Sequence, residues 1–186
     1  SGMDVLVHAL ESLVAKKANH FTDALAEKAI ELVVENLPTC VVDGKNEVAR
    51  AAMHEASCMA GIAFNQAGLG ITHALSHQLG GQFHVPHGLA NAMLLPYVIM
   101  YNAANSTVAK SKYISIAQKL CLTSETNDES AQLAALVKCA QFLARQVGCA
   151  MTMKEFGIDD VTFKNSFSIL VQQAIADRTY AGNPYE

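Results

Sequence analysis

Residues 46–66 read NEVARAAMHEASCMAGIAFNQ, and Gly68 and Gly70 follow directly. The stretch holds no Pro, and Ala52, Ala56, Met59, Ala60 and Ala63 recur on one stripe at helical spacing. That pattern predicts a long helix over 46–66, opened after the Asp43-Gly44 turn and broken at Gly68 and Gly70. Small side chains along one stripe let a neighbouring helix approach closely. The flanks follow the same period. Upstream, 4–17 carries Val5, His8, Ala9, Ser12 and Leu13 at helical spacing. A second helix is expected from an N-cap at Thr22, through Ala29 and Val33 to about Asn36, stopping before Pro38. Downstream, a short helix over 71–79 should end at Gly80-Gly81, with a loop over 82–86 and an apolar helix over 88–104. Helices are expected over 106–120, 129–147 and 159–177, with a polar loop over 123–129. Strand signals are nearly absent; 40–42 is the best candidate and is too short to matter. The fold class predicted is all-α, a single helical bundle over 1–186.

Composition agrees. The chain has 186 residues, 51% hydrophobic and 16% charged, with a formal net charge of −4. Those figures suit one globular domain, or at most two small ones. A chain this long buries roughly 70% of its unfolded surface, so it needs no disulfide scaffold. The mild acidity argues against nucleic acid as a partner, which would call for a basic face. Cys40, Cys58, Cys121, Cys139 and Cys149 are odd in number and never spaced C-x-x-C. They read as reduced, mostly buried thiols of a cytoplasmic protein. Asp4, His8 and Glu11 interrupt the first apolar stretch, so no signal peptide is expected. The most apolar segment, 89–101, contains Asn91 and Pro96 and falls short of the roughly 20 residues of a membrane span. It reads as a buried helix, and no membrane partner is expected. The mean hydropathy of +0.19 is high. It points to surface covered by a further domain or partner. Both ends read as cut, and a helix beyond Pro184 is expected.

The chemistry concentrates in histidines. The chain has 7, and His73, His77, His84 and His87 lie close together. His73 and His77 are four apart and share a helix face. His87 sits at a fixed turn between Pro86 and Gly88. Asp4 and His8 are likewise four apart on the first helix. Bundles build metal sites from side chains on facing helices. Asp4 and His8 could therefore meet two of the later histidines, although spacing does not say which two. One carboxylate and three imidazoles suit divalent iron or zinc. The plainer reading makes His73 and His77 interior histidines bonded to backbone, and Asp4 a first-turn charge. Other motifs fail. Ala74 and Leu75 follow His73, so there is no H-E-x-x-H. Gly68-Leu69-Gly70 lacks a third glycine, and Gly80-Gly81 has no following Lys-Ser or Lys-Thr. Cys58 reads as core, His20 and His54 as surface or packing residues, and Met53, Met59, Met93 and Met100 as core filler.

Several segments together carry a resemblance. Gly2-Met3-Asp4-Val5-Leu6-Val7-His8-Ala9-Leu10-Glu11 resembles the G-M-D-x-L-x-H-A-x-E segment of iron-containing, or group III, alcohol dehydrogenases. Phe21-Thr22-Asp23-Ala24-Leu25 and Ala60-Gly61-Ile62-Ala63-Phe64-Asn65 are similar to two further landmarks of that family. His73-Ala74-Leu75-Ser76-His77-Gln78-Leu79-Gly80-Gly81 and Pro86-His87-Gly88 resemble its two histidine motifs. The likeness is dense over 2–102 and thin afterwards, where Asp177 and Asn183-Pro184 match the C-terminal region. Residues 81–92 look most like the 1-propanol dehydrogenases of propanediol utilisation. Tyr185 departs from the family, which commonly has Arg after Asn-Pro. The family's G-G-G-S and T-x-G-T-G-S-E segments do not occur in the chain.

The resemblance implies the fold of the family's C-terminal helical metal-binding domain, shared with dehydroquinate synthase-like enzymes. It implies Asp4, His8, His73 and His87 as metal ligands. His77 would be catalytic, facing substrate and nicotinamide, and Phe64 would line the same substrate pocket. The metal implied is Fe2+, with Zn2+ in some members. The redox cofactor implied is NAD(H) or NADP(H), bound with an N-terminal nucleotide-binding domain that the chain does not include. The reaction implied interconverts a small primary alcohol and its aldehyde. The metal acidifies the alcohol, hydride passes to nicotinamide, and His77 relays the proton. The isolated chain is expected to be inactive, and the whole enzyme a homo-oligomer in the cytoplasm or a bacterial microcompartment. Other readings are a zinc-dependent glycerol dehydrogenase, a dehydroquinate synthase-like enzyme, or a metal-free helical module.

Overall fold

A computed structural model describes residues 1–123 and 128–185. It contains, in order, α1 (Gly2–Val14), α2 (His20–Val42), α3 (Glu47–Ala67), α4 (Ile71–Phe83), α5 (His87–Asn105), α6 (Thr107–Lys119), α7 (Glu129–Gln146), α8 (Met153–Phe156) and α9 (Asp160–Ala176), then a 3-10 turn at Tyr180–Gly182. No strand occurs among the described residues. The bundle is all-α, as the periodicity predicts. No helix is long and apolar enough to cross a membrane among the described residues. Part of the expected loop over 123–129 lies outside the described residues.

Helix α1 is the axis of the bundle. Its side chains from Met3 to Val14 are buried almost without interruption. A helix buried on nearly every side must be surrounded, and α2, α3, α5 and α6 surround it. Helices α2 and α3 pack along each other, with Ala49, Ala56, Ala60, Ala63 and Ala67 as the buried stripe of α3. Helix α4 lies against α5, and α9 against α4. A second apolar cluster forms there around Leu79, Val85, Met93 and Leu170.

Local signals give way to packing in several places. The N-cap of α2 is Asn19, whose side chain accepts from Thr22 N, while Thr22 Oγ1 accepts from Asn19 N. Thr22 is thus the partner in a capping box rather than the cap. Helix α2 continues through Pro38 to Val42, taking in the weak strand candidate. Proline in a helix costs about 3 kcal/mol. Here it falls near the helix end, just after the anchored Leu37, which presses so close to Gly2 that a Cβ there would overlap it. Helix α4 likewise runs through Gly80 and Gly81 to Phe83, and His84 ends it in the left-handed conformation at φ 56°. Two helical glycines cost about 1 kcal/mol each, which burial around Leu79 and Val85 offsets. The cysteines are not core residues: Cys58 and Cys121 are exposed, and Cys40, Cys139 and Cys149 half-buried. Met100 and Tyr97 are exposed, so α5 keeps one open stripe.

A buried amide pair ties the last turn to the bundle. Asn183 Nδ2 donates to Asn102 Oδ1 at 2.8 Å, and Asn102 Nδ2 returns a bond to Asn183 Oδ1 at 3.2 Å. Asn183 Oδ1 also accepts from Ile71 N at 3.3 Å, at the start of α4. Both side chains are fully buried, so losing one orphans the other's polar atoms. Asn183→Ala should cost about 3 kcal/mol. For a chain of this size, that lowers Tm by about 10 °C. Thermal unfolding followed by circular dichroism measures it, and an unchanged Tm contradicts it.

Candidate metal centre

Three helices converge on one point. Helix α1 presents Asp4, His8 and Glu11, on the repeating helical face. Helix α4 contributes His73, and α5 begins at His87 and adds Asn91 one turn later. Gly88 makes the meeting possible. A Cβ there would stand 3.3 Å from Ser1 N and 3.5 Å from Asp4 Cβ, so glycine lets α5 start this close to α1 without displacing its first residues.

Asp4, His8, His73 and His87 each offer one ligating atom, and those atoms all lie within 4.8 Å of one another. His87 Nε2 is 3.4 Å and His73 Nε2 3.7 Å from Asp4 Oδ1. The His8 ring stacks on His73 at 4.6 Å and on Phe64 at 4.5 Å. Spacing along the chain leaves open which histidines join Asp4 and His8; the structure brings in His73 and His87. His84, the cap of α4, is exposed and outside the group, as are His20 and His54. His77 stands beside the group, its ring stacked on His87 at 5.4 Å. Its Nδ1 is 2.8 Å from Asp177 Oδ2, at the C-cap of α9, and its side chain is 41% exposed.

The surroundings fit a cation. Asn91 Nδ2 donates to Asp4 Oδ1 at 2.6 Å and stands 3.2 Å from His87 Nε2 and 3.3 Å from His73 Nε2. Its own Oδ1 is buried without a partner. A carboxylate oxygen and two imidazole nitrogens thus converge on one point. A zinc ion would take each ligating atom at about 2.0–2.2 Å, so atoms within 4.8 Å of one another could close on one ion by side-chain movement. For three of the four, the charge states are also those of ligands. Burial alone would raise the Asp4 carboxyl, but His73, His8 and Asn91 outweigh it and hold it at about 2. Burial presses His8 down to about 4 against the pull of Asp4, and burial also lowers His87. His73 goes the other way. Burial opposes its charge, yet the carboxylates of Asp4 and Glu11 hold it up at about 9.

Three neighbours of the group are missing from a reading based on histidine spacing: Glu11, Asn91 and the contact of Asp177 with His77. Glu11 lies seven residues after Asp4 and Asn91 four after His87, so helical phase alone puts them on the same faces. An apolar cavity of about 710 Å³ lies elsewhere, between α4, α5, α8 and α9, lined by Leu75, Leu79, Met93, Phe163 and Leu170 among others. It includes none of the four converging residues.

Known proteins resemble the whole chain. The family model described as "Fe-containing alcohol dehydrogenase family, C-terminal" matches residues 1–186. The 1-propanol dehydrogenase of Citrobacter freundii is 46% identical over 186 residues, covering 99% of this chain and 50% of that protein. The NADPH-dependent butanol dehydrogenase of Clostridium saccharobutylicum is 41% identical, covering 99% of this chain and 46% of that protein. The iron-containing alcohol dehydrogenase of Thermococcus thioreducens superimposes with a TM-score of 0.87 at 37% identity, covering 100% of this chain and 45% of that one. The chain therefore spans about half the length of the relatives it matches. With a family model over its full length and a helical bundle shared with solved members, the chain belongs to the iron-containing alcohol dehydrogenase family.

Proposed function

We propose that residues 1–186 are the helical metal-binding domain of an NAD(P)-dependent alcohol dehydrogenase that interconverts a small primary alcohol and its aldehyde. The convergence of Asp4, His8, His73 and His87 carries this reading. The similarity to a 1-propanol dehydrogenase favours 1-propanol and propionaldehyde as the pair. One carboxylate and three imidazoles suit divalent iron, or zinc. When bound, such an ion supplies Lewis acidity that lowers the pKa of an alcohol and polarises a carbonyl.

The chain's own residues do the rest. Asn91 holds the Asp4 carboxylate by its Nδ2. Phe64 and His73 fix the plane of His8 from its two faces, and Phe64 adds an apolar wall beside it. Asp177 accepts the Nδ1 proton of His77. That leaves the His77 Nε2 to take a proton from the substrate side and release it to solvent, across a ring that is partly exposed. NAD(H) or NADP(H) is supplied in this reading by an N-terminal nucleotide-binding domain outside residues 1–186, and the whole enzyme assembles as a homo-oligomer.

Metal content tests the reading. The chain is purified anaerobically without a metal-affinity step, exposed to ferrous iron or zinc, and freed of excess. About one ion per chain is expected. No retained metal, in this chain and in the longer enzyme alike, would favour a metal-free helical module.

A further inference from the structure

Among the described residues Glu11 is the one carboxylate sealed inside the bundle, 3% exposed, and nothing in the proposed chemistry uses it. All its bonds are to donors. Oε1 accepts from Thr72 N at 2.7 Å, and Oε2 accepts from Gly70 N at 3.1 Å. Oε2 also stands 2.6 Å from His73 Nδ1. Gly70, the N-cap of α4, has no side chain to close its own helix. A Cβ there would meet Asn183 Oδ1 at 2.6 Å and Glu11 Oε1 at 3.1 Å. Glu11 therefore caps α4 from a distant helix while gripping the imidazole one turn in.

We propose that Glu11 is a positioning residue for the metal centre, fixing both the start of α4 and the tautomer of His73 so that Nε2 is the ligating nitrogen. The inference rests on the reading that Asp4, His8, His73 and His87 hold a metal. An ionised carboxylate can only accept, so the nitrogen it faces must carry the proton. That nitrogen is Nδ1. The other, Nε2, faces Asp4 and Asn91. A carboxylate behind a ligating imidazole also strengthens it as a donor to metal. Glutamine cannot replace it. With its oxygen toward His73, its NH2 opposes the N–H of Thr72. With its NH2 toward His73, Nδ1 must become an acceptor and the proton moves to Nε2, where the ligand bond should form.

Two measurements test this on the full chain. In zinc-loaded, 15N-histidine-labelled protein, two-bond 1H–15N correlations should show His73 protonated at Nδ1 and metallated at Nε2. Next, metal-free wild type, Glu11→Gln, His73→Ala and the double variant are titrated with Co2+, following the visible d–d bands. Glu11→Gln should weaken cobalt about 10- to 100-fold and alter the bands. In the His73→Ala background the same change should add less than about twofold, because Glu11 acts through His73. Metal on Nδ1, no loss in Glu11→Gln, or an equal loss in both backgrounds overturns the proposal. Should Glu11→Gln fail to fold, the wild-type tautomer decides alone. A wild type that binds no cobalt, in this chain and in the longer enzyme alike, overturns the metal reading itself, and this inference with it.

Discussion

His73→Ala should strip the centre of its metal and destabilise the bundle in the same stroke. Of the four converging residues His73 is the deepest, 1% exposed, with His8 stacked on its ring and His87 beside it. Zinc held by four protein ligands is worth about 10–16 kcal/mol, so one ligand accounts for about 3 kcal/mol, or two orders of magnitude in affinity. Alanine also leaves Glu11 as a buried carboxylate without its strongest partner, a defect that typically costs about 3–5 kcal/mol. His87→Ala separates the two effects. Its side chain is 42% exposed, so its loss should weaken metal equally while leaving the metal-free Tm nearly unchanged. Metal counting after dialysis, paired with thermal melts of both variants, reads the contrast. Full metal retention in His73→Ala would remove His73 from the ligand set. In the longer enzyme, turnover should fall with metal content in both variants.

That contrast depends on depth, which the amino-acid order conveys only partly. The i, i+4 pairs Asp4/His8 and His73/His77 are visible as pairs, and helical phase is enough to predict an all-α bundle. Choosing His87 rather than His77 as the fourth member is different. It depends on α5 starting against α1, which Gly88 permits, and no local rule announces a contact between residues 4 and 88. Glu11 was within reach, since its phase matches Asp4 and His8, but a carboxylate on a mostly apolar helix has no local sign of a partner in α4. The cysteines show the opposite fault. Cys58 reads as core by residue type, yet it lies opposite the Ala56, Ala60, Ala63 and Ala67 stripe and is exposed. Phase, not type, decides its side. At Pro38 and at Gly80-Gly81 the local stop signals are real, but they cost a few kcal/mol at most. Burial of the flanking Leu37 and Leu79, worth about 1.5–3 kcal/mol each, is of the same size.

Metal affinity should also depend steeply on pH, because the metal-free centre holds a proton where the ion would sit. His73, held at about 9 between Asp4 and Glu11, is protonated at neutral pH. A ligand must be neutral, so binding expels that proton. Below pH 9 the apparent affinity should therefore rise tenfold per pH unit, about a hundredfold from pH 6.5 to 8.5. The slope should steepen once His87, held below its ordinary value, and then His8, near 4, take up protons. Asp4, near 2, stays ionised throughout. The same shift has the reverse sign for the metal-free fold. A raised imidazole pKa stabilises the folded state fully below the unfolded value of 6.5, and that contribution is lost as pH rises through 9. Raising the pH from 6.5 to 9 should therefore lower the Tm of the metal-free chain while increasing the Tm gain on adding zinc. Calorimetric titration with zinc at pH 7.5, in buffers of differing ionisation heat, counts the released proton directly. A value near one is expected. A value near zero would mean that His73 is already neutral, and that Glu11 and Asp4 do not hold its charge.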